Sequence, residues 1–216
     1  MEDRLMLLDN ILYIGSGILF TLQLLFGGIS LGLLLAIVMT ILRYSSKCAS
    51  YIITGYISIF RGTPVILQLS LFYFALPQII GLNLEILTAG ILTFGLNSAA
   101  YLAEILRSGI NSLPKGQFEA AQTLRIPLFK TWKDVILPQA IRNSLPSLTG
   151  EMIALLKETA LISTIGGLDI MRKSQGIAAE HFTYFTPLLI AGAYYYAMVL
   201  LIEFIGKKIE KNNANY

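Results

Sequence analysis

Residues 19–42, LFTLQLLFGGISLGLLLAIVMTIL, decide the fold, because they run through the chain without one charged side chain. A helix crossing the roughly 30 Å hydrocarbon core of a bilayer needs about 20 apolar residues, and this stretch supplies them. The rest of the chain has the same character. Of 216 residues, 55% are hydrophobic and 13% charged, at a mean hydropathy of +0.68. A water-soluble domain of this size needs far more charged surface, so the composition makes lipid the solvent. The net charge of +3 is modest and its cations are clustered; nucleic acid is not expected as a partner.

Four more apolar segments follow, at 51–76, 84–106, 148–168 and 186–205, and the first can start as early as Ile11. The expectation is an all-α integral membrane protein: one domain, 1–216, with five transmembrane helices. Segment 148–168 is the least apolar, since it holds Glu151, Lys157 and Glu158. It is kept because its flanks suit a helix and because charges inside a span usually mark function. The tail, 210–216, is polar and expected to fray.

Lysine and arginine fix the expected orientation. Arg43 and Lys47 follow the first segment. Arg107, Lys115, Arg125, Lys130, Lys133 and Arg142 lie between the third and fourth, and Lys207, Lys208 and Lys211 come after the fifth. They share one side if the N-terminus is outside and the C-terminus cytosolic; the other side holds Arg4, Arg172 and Lys173. The first ten residues carry Glu2, Asp3 and Asp9 against Arg4, so a cleaved signal peptide is not expected. The lone cysteine, Cys48, rules out an internal disulfide.

Segment 109–144 is too polar to span. Pro114 suits the first turn of a helix, and Gln117 to Leu124 are rich in helix formers. Pro127 restarts the chain, and a second short helix is expected with Phe129, Trp132 and Ile136 on one face. Pro138 and Pro146 punctuate the return to the membrane. Two short helices of this kind fit a groove on a soluble partner or lie flat on anionic lipid. The residues alone leave both open.

Glu119-Ala120-Ala121, followed at fixed spacing by Val135-Ile136-Leu137-Pro138, resembles the EAA loop of ABC-importer permeases. More narrowly, the chain resembles the histidine/glutamine-type amino-acid permeases. The resemblance is carried by Phe60-Arg61-Gly62-Thr63-Pro64, Gly95-Leu96-Asn97-Ser98-Ala99-Ala100-Tyr101, Ala103-Glu104-Ile105, Arg107-Ser108-Gly109-Ile110 and Pro114-Lys115-Gly116-Gln117. Leu137-Pro138-Gln139-Ala140 and Leu156-Lys157-Glu158-Thr159 complete the ordered set. It implies a type I importer fold whose loop, 109–144, is a cytosolic coupling segment. Glu119, Ala120, Ala121, Leu124, Arg125, Leu137 and Pro138 would then meet the ATPase. The family usually has glycine where this chain has Arg125. A left-handed backbone there costs arginine about 1 kcal/mol or more, so the turn is either built differently or strained.

Inside the apolar segments, Arg61 stands next to Gly62, Thr63 and Pro64, which interrupt regular helix. A charge at the bilayer centre costs about 2.5 to 3.5 kcal/mol and needs a partner or a wet path. Glu151 and Glu158, seven apart, share a face, and Lys157 lies on another. These four charges sum to zero. They either lock helices together as a buried ion-pair network or line a midplane site for a zwitterion. In the second case Arg61 or Lys157 takes the carboxylate and Glu151 or Glu158 the amine, with Thr63, Asn97 and Tyr101 also on the pathway. Ser98 is expected to hydrogen-bond across helices, and Glu104 with Arg107 to form a local salt bridge. His181 lacks partners at metal-ligand spacing, and Tyr194-Tyr195-Tyr196 reads as packing.

No Gly-x-x-x-x-Gly-Lys-Ser/Thr pattern occurs, so ATP is expected to bind in a partner subunit and this chain to need no cofactor. Five spans are few for a complete carrier. A second permease subunit, identical or a close sister, is therefore expected. The resemblance further implies an extracytoplasmic amino-acid-binding protein, a plasma-membrane location, and glutamine as cargo. The competing reading is a stand-alone secondary transporter or channel, which leaves block 119–138 unexplained.

Overall fold

The computed structural model describes residues 2–81 and 83–214. Asn215 and Tyr216, the end of the tail, lie outside the described residues, as do the side chains of Glu2, Asp3 and Arg4. Among the described residues every regular element is helical.

Helix α1 (Glu2–Gly15) meets α2 (Ile18–Ser45) at a tight turn, and together they form one apolar stretch, Leu7–Tyr44. Gly17 occupies that turn. A Cβ there would lie 2.6 Å from the backbone of Asp169 and Ile170, so only glycine lets the two chain segments approach this closely. Ser46 then caps α3 (Lys47–Gly62), its hydroxyl accepting from the Ala49 amide at 3.5 Å.

Segment 51–76 is not one straight helix. Thr63 and Pro64 are extended, with φ of −118° and −62°, as expected for a residue before proline and for proline itself. The chain turns by 101° into α4 (Val65–Ser70), a π-helical stretch Leu71–Ala75, and α5 (Leu76–Ile80). The long helix α6 (Ile86–Asn111) follows and packs along α2. A Cβ on Gly32 would lie 3.2 Å from the Gly95 carbonyl, the small-residue contact by which membrane helices approach closely.

Beyond α6 come α7 (Gly116–Thr123), α8 (Leu128–Lys130), a π-helical stretch Thr131–Ile136, and α9 (Leu137–Glu158). Pro138 sits in the first turn of α9. Pro146 lies inside the helix rather than ending it. Seven residues of 3₁₀ helix, Thr159–Ile165, carry the chain to Gly166 at φ 91°. There the hydroxyls of Thr159, Ser163 and Thr164 donate to carbonyls three residues back. Asp169 caps α10 (Ile170–Glu180), accepting from the Arg172 amide at 2.8 Å. Helix α11 (Phe185–Ala214) ends the described chain and is helical over residues 210–214 of the tail expected to fray.

Among the described residues three helical stretches are long and apolar enough to cross a membrane, and four if the bent pair counts as one span. Segment 148–168 is not among them, because α9 carries Arg142, Glu151, Lys157 and Glu158 and gives way to the 3₁₀ stretch. Length and apolarity alone therefore do not produce five crossings. The core lies where α2, α6 and α9 meet, around Leu24, Leu25, Phe94, Leu155 and Leu156. Large apolar side chains elsewhere face outward, as on α11, where Leu201 is 59% and Phe204 66% exposed. Outward leucine and phenylalanine suit a protein whose solvent is hydrocarbon.

Candidate transport site and coupling surface

The break after α3 is held open by amides. Gln68 is buried on α4, and its Nε2 donates to the Phe60 carbonyl at 2.9 Å, the Thr63 carbonyl at 3.2 Å and Thr63 Oγ1 at 2.8 Å. Asn97, on α6, donates to the same Phe60 carbonyl and to Gln68 Oε1, both at 3.1 Å. Carbonyls freed by the bend are thereby satisfied inside the protein, as a helix end at membrane depth requires. Thr63 and Asn97 thus form a clasp around the break. Gln68, which the sequence reading did not single out, is its centre. Its one visible signal is an amide in the apolar run after Pro64.

Beside the clasp, Arg61 is exposed on the last turn of α3, its guanidinium 5.1 Å from the Tyr101 ring centroid, in cation–π geometry. Ser98, one residue past Asn97, donates to Glu151 Oε1 at 2.7 Å, bridging α6 and α9 as expected. Arg61 and Glu158 are the charges within electrostatic reach of Glu151. The buried ion-pair network weighed from sequence is not formed. Among the described residues no ion pair joins Arg61, Lys157, Glu151 and Glu158, and Lys157 is exposed. Arg61 found a ring instead of a carboxylate. The structure brings Arg61, Tyr101 and Glu151 to one region, with Arg61 and Glu151 in no ion pair among the described residues.

At the other end of α6, Glu104 accepts from Arg43 at 2.6 Å and from Arg107 at 2.8 and 2.9 Å. The local pair expected with Arg107 is present, and Arg43 ties it to α2. No described group of three His, Cys, Asp or Glu could hold a metal.

Segment 109–144 builds a knob. Helix α7 starts at Gly116, just after Pro114, and ends in a left-handed turn at Arg125, φ 55°. Arg125 N donates to the Gln122 carbonyl and Ile126 N to the Ala121 carbonyl, both at 3.0 Å. This bond pair is the Schellman motif, whose left-handed position is normally glycine. The expected turn is therefore made here, with arginine bearing the strain. Ala121 is buried, whereas Glu119 and Ala120 face outward, and Leu124, Leu128 and Phe129 are 72%, 73% and 75% exposed. Phe129, Trp132 and Ile136 do not share a buried face. Ile136 packs with Ile110, Leu113 and Ala140, Trp132 is half-buried, and Phe129 points out. The π-helical stretch explains this, since its wider turn rotates side chains off the three-and-four spacing. Leu137 and Pro138 are exposed where α9 begins.

The charges beside the break and the exposed Leu124, Leu128 and Phe129 of the knob are the features of this chain that fit a membrane transport component. Comparison with known proteins is specific. Residues 28–214 match the family described as binding-protein-dependent transport system inner membrane component. A Rickettsia typhi protein provisionally named glutamine transport system permease protein GlnP is 48% identical over 203 residues, covering 94% of this chain and 93% of that one. The arginine transport system permease protein ArtQ of Bacillus subtilis is 42% identical, covering 94% of each. The crystal structure of an amino acid ABC transporter with histidines superposes at a TM-score of 0.90, with 36% identity over 96% of this chain and 97% of that one. The methionine ABC transporter MetNI, at 20% identity and TM-score 0.72, shares the fold.

This chain therefore belongs to the binding-protein-dependent transport system inner membrane components, as the permease subunit of an amino-acid ABC transporter. It is an inner-membrane protein and not itself an enzyme, since the family leaves ATP hydrolysis to a separate ATPase subunit and works with a binding protein. The stand-alone carrier reading falls with this assignment.

Proposed function

We propose that this permease carries glutamine, with Arg61, Tyr101 and Glu151 lining its path and Lys157 and Glu158 beside it. The observation that carries the reading is an arginine set on an aromatic face near a carboxylate that accepts from a serine hydroxyl, neither of them in an ion pair among the described residues. With both outside any ion pair among the described residues, a zwitterion can meet one of each sign. Thr63 and Asn97 shape that wall through the clasp rather than offering free polar groups. Glutamine is supported by the provisional name of the 48% identical relative; its side chain adds no further charge to be matched.

A second permease subunit closes the open side of this wall, and the exposed block 119–138 docks on the ATPase, which alone binds ATP. Closure of the ATPase pushes Glu119, Ala120, Leu124, Arg125, Leu137 and Pro138 inward and turns the site from one side of the membrane to the other. The C-terminus lies with the knob in the cytosol, in keeping with the lysine and arginine distribution. The test is ATP-dependent uptake of labelled glutamine into proteoliposomes holding the assembled transporter and its binding protein. Uptake displaced by unlabelled glutamine and not by arginine is the expected result; preferential displacement by arginine would reassign the cargo.

A further inference from the structure

Between α2, α9 and α11 runs a groove of about 420 Å³ that the transport path does not use. Its walls are apolar: Leu25 and Phe26 from α2, Leu148 and Met152 from α9, Leu201 and Ile205 from α11. The one hydroxyl on it, Thr149 Oγ1, donates to the Leu145 carbonyl at 3.1 Å and so asks nothing of an occupant. A groove with no unsatisfied polar group does not hold ordered water. Two of its three helices belong to stretches long and apolar enough to cross the membrane, and Phe26, Leu201 and Ile205 are about half exposed. The opening therefore faces hydrocarbon. Left empty, the lining would lose its dispersion contacts.

The ends of the groove differ. Leu145 and Ile209 line one of them, and one turn before Leu145 comes Arg142, while Lys208 and Lys211 flank Ile209. These three cations are exposed and, among the described residues, in no ion pair. Lys207 is held at 3.6 Å by Glu203, and Glu210 is the other acid nearby, so the end stays basic. Gly206 brings α11 against Thr149, where an added Cβ would lie 2.6 Å from the threonine side chain. Contact at that point seats the basic turns of α9 and α11 side by side.

We propose that this groove binds an anionic phospholipid, one acyl chain lying between α2, α9 and α11 and the headgroup phosphate resting on Arg142, Lys208 and Lys211. The apolar trough selects a chain. The cations select the charge, as basic sites at membrane helix ends do. A zwitterionic lipid fits the trough equally and loses the anchor, so the headgroup decides occupancy.

The assembled transporter, in nanodiscs, is irradiated with phosphatidylglycerol carrying a diazirine in its acyl chain, and in parallel with the phosphatidylcholine analogue. Crosslinks from phosphatidylglycerol are expected to concentrate on Met152, Leu201 and Ile205 and to exceed those from phosphatidylcholine several-fold. Arg142→Gln with Lys208→Gln should erase that difference without moving the labelled positions. Met152→Trp, which fills the trough without touching the charges, should remove the labelling. Equal labelling by both lipids, or labels spread evenly over α2 and α11, overturns the proposal. So does a second permease chain in the groove, read as disulfide-linked dimers from Leu201→Cys in place of lipid adducts.

Discussion

Tyr44, at the end of α2, and Trp132, in the knob, lie ring to ring with centroids 5.5 Å apart and planes tilted 58°. Trp132 also meets Phe118 of α7 at 5.9 Å, and the Tyr44 hydroxyl donates to Asn111 at the end of α6 at 3.3 Å. One aromatic joint thus connects the knob to two long helices.

Removing the indole in Trp132→Ala deletes both ring contacts, each worth about 0.5 to 1.5 kcal/mol beyond its area. The expected outcome is a transporter that still hydrolyses ATP but moves several-fold less amino acid per ATP. Tyr44→Phe keeps the rings and loses only the hydroxyl, so it should transport nearly as the parent does. Paired uptake and phosphate-release measurements check this; equal damage in both variants would remove the joint from the coupling route.

Arg125→Gly should stabilise the knob by about 1 kcal/mol, because glycine takes the left-handed backbone without the Cβ conflict. Arg125→Ala keeps the conflict and should bring no gain. Thermal melting of the solubilised protein separates the two.

Gln68→Ala strips three donations from the break after α3 and should cost about 1 to 3 kcal/mol, the penalty for polar groups left without partners. Thr63→Val loses only a hydroxyl and leaves the carbonyls served, so its melting temperature should fall less.

Glu151→Gln retains an oxygen for Ser98 and removes only charge. Uptake should drop about tenfold, equivalent to about 1.4 kcal/mol, at unchanged assembly. Ser98→Ala should cost less, because the carboxylate remains. Unaltered transport by the glutamine variant would take Glu151 off the pathway.

Gly17→Ala and Gly27→Ala both add one methyl against a close neighbour. At Gly17 the neighbour is the backbone of Asp169 and Ile170 at 2.6 Å; at Gly27 it is the tip of Ile91 at 2.7 Å. A side chain can turn away and a peptide cannot. The Gly17 variant should therefore melt lower, by an amount reflecting overpacking of about 1 to 3 kcal/mol.

Much of this architecture was legible from residue types. Uncharged runs marked the long helices, and Gly62-Thr63-Pro64 marked the break. Arg125 in the place of a family glycine left the turn either rebuilt or strained, and its φ of 55° makes it the strained one. Other features depend on what stands opposite, which periodicity does not report. Arg61 met Tyr101 rather than an acid from another helix, and Gln68 earns its role from carbonyls released by a bend of 101°. Phe129 was placed on one face with Trp132 and Ile136 on a helical period that the π-helical stretch does not follow. Pro146 was read as punctuation, yet Ser144 and Gly109 pack α9 against α6 closely enough to carry the helix through it.

The bend after α3 also bears on the life of a newly made copy. Arg61 is exposed on the lone chain, while the carbonyls around the bend are served by Gln68 and Asn97, and hydrocarbon does not satisfy a guanidinium. Until another polypeptide or a water-filled space covers that flank, the surrounding lipid has to thin or admit water. An unassembled copy is thus a local defect in the bilayer that assembly removes.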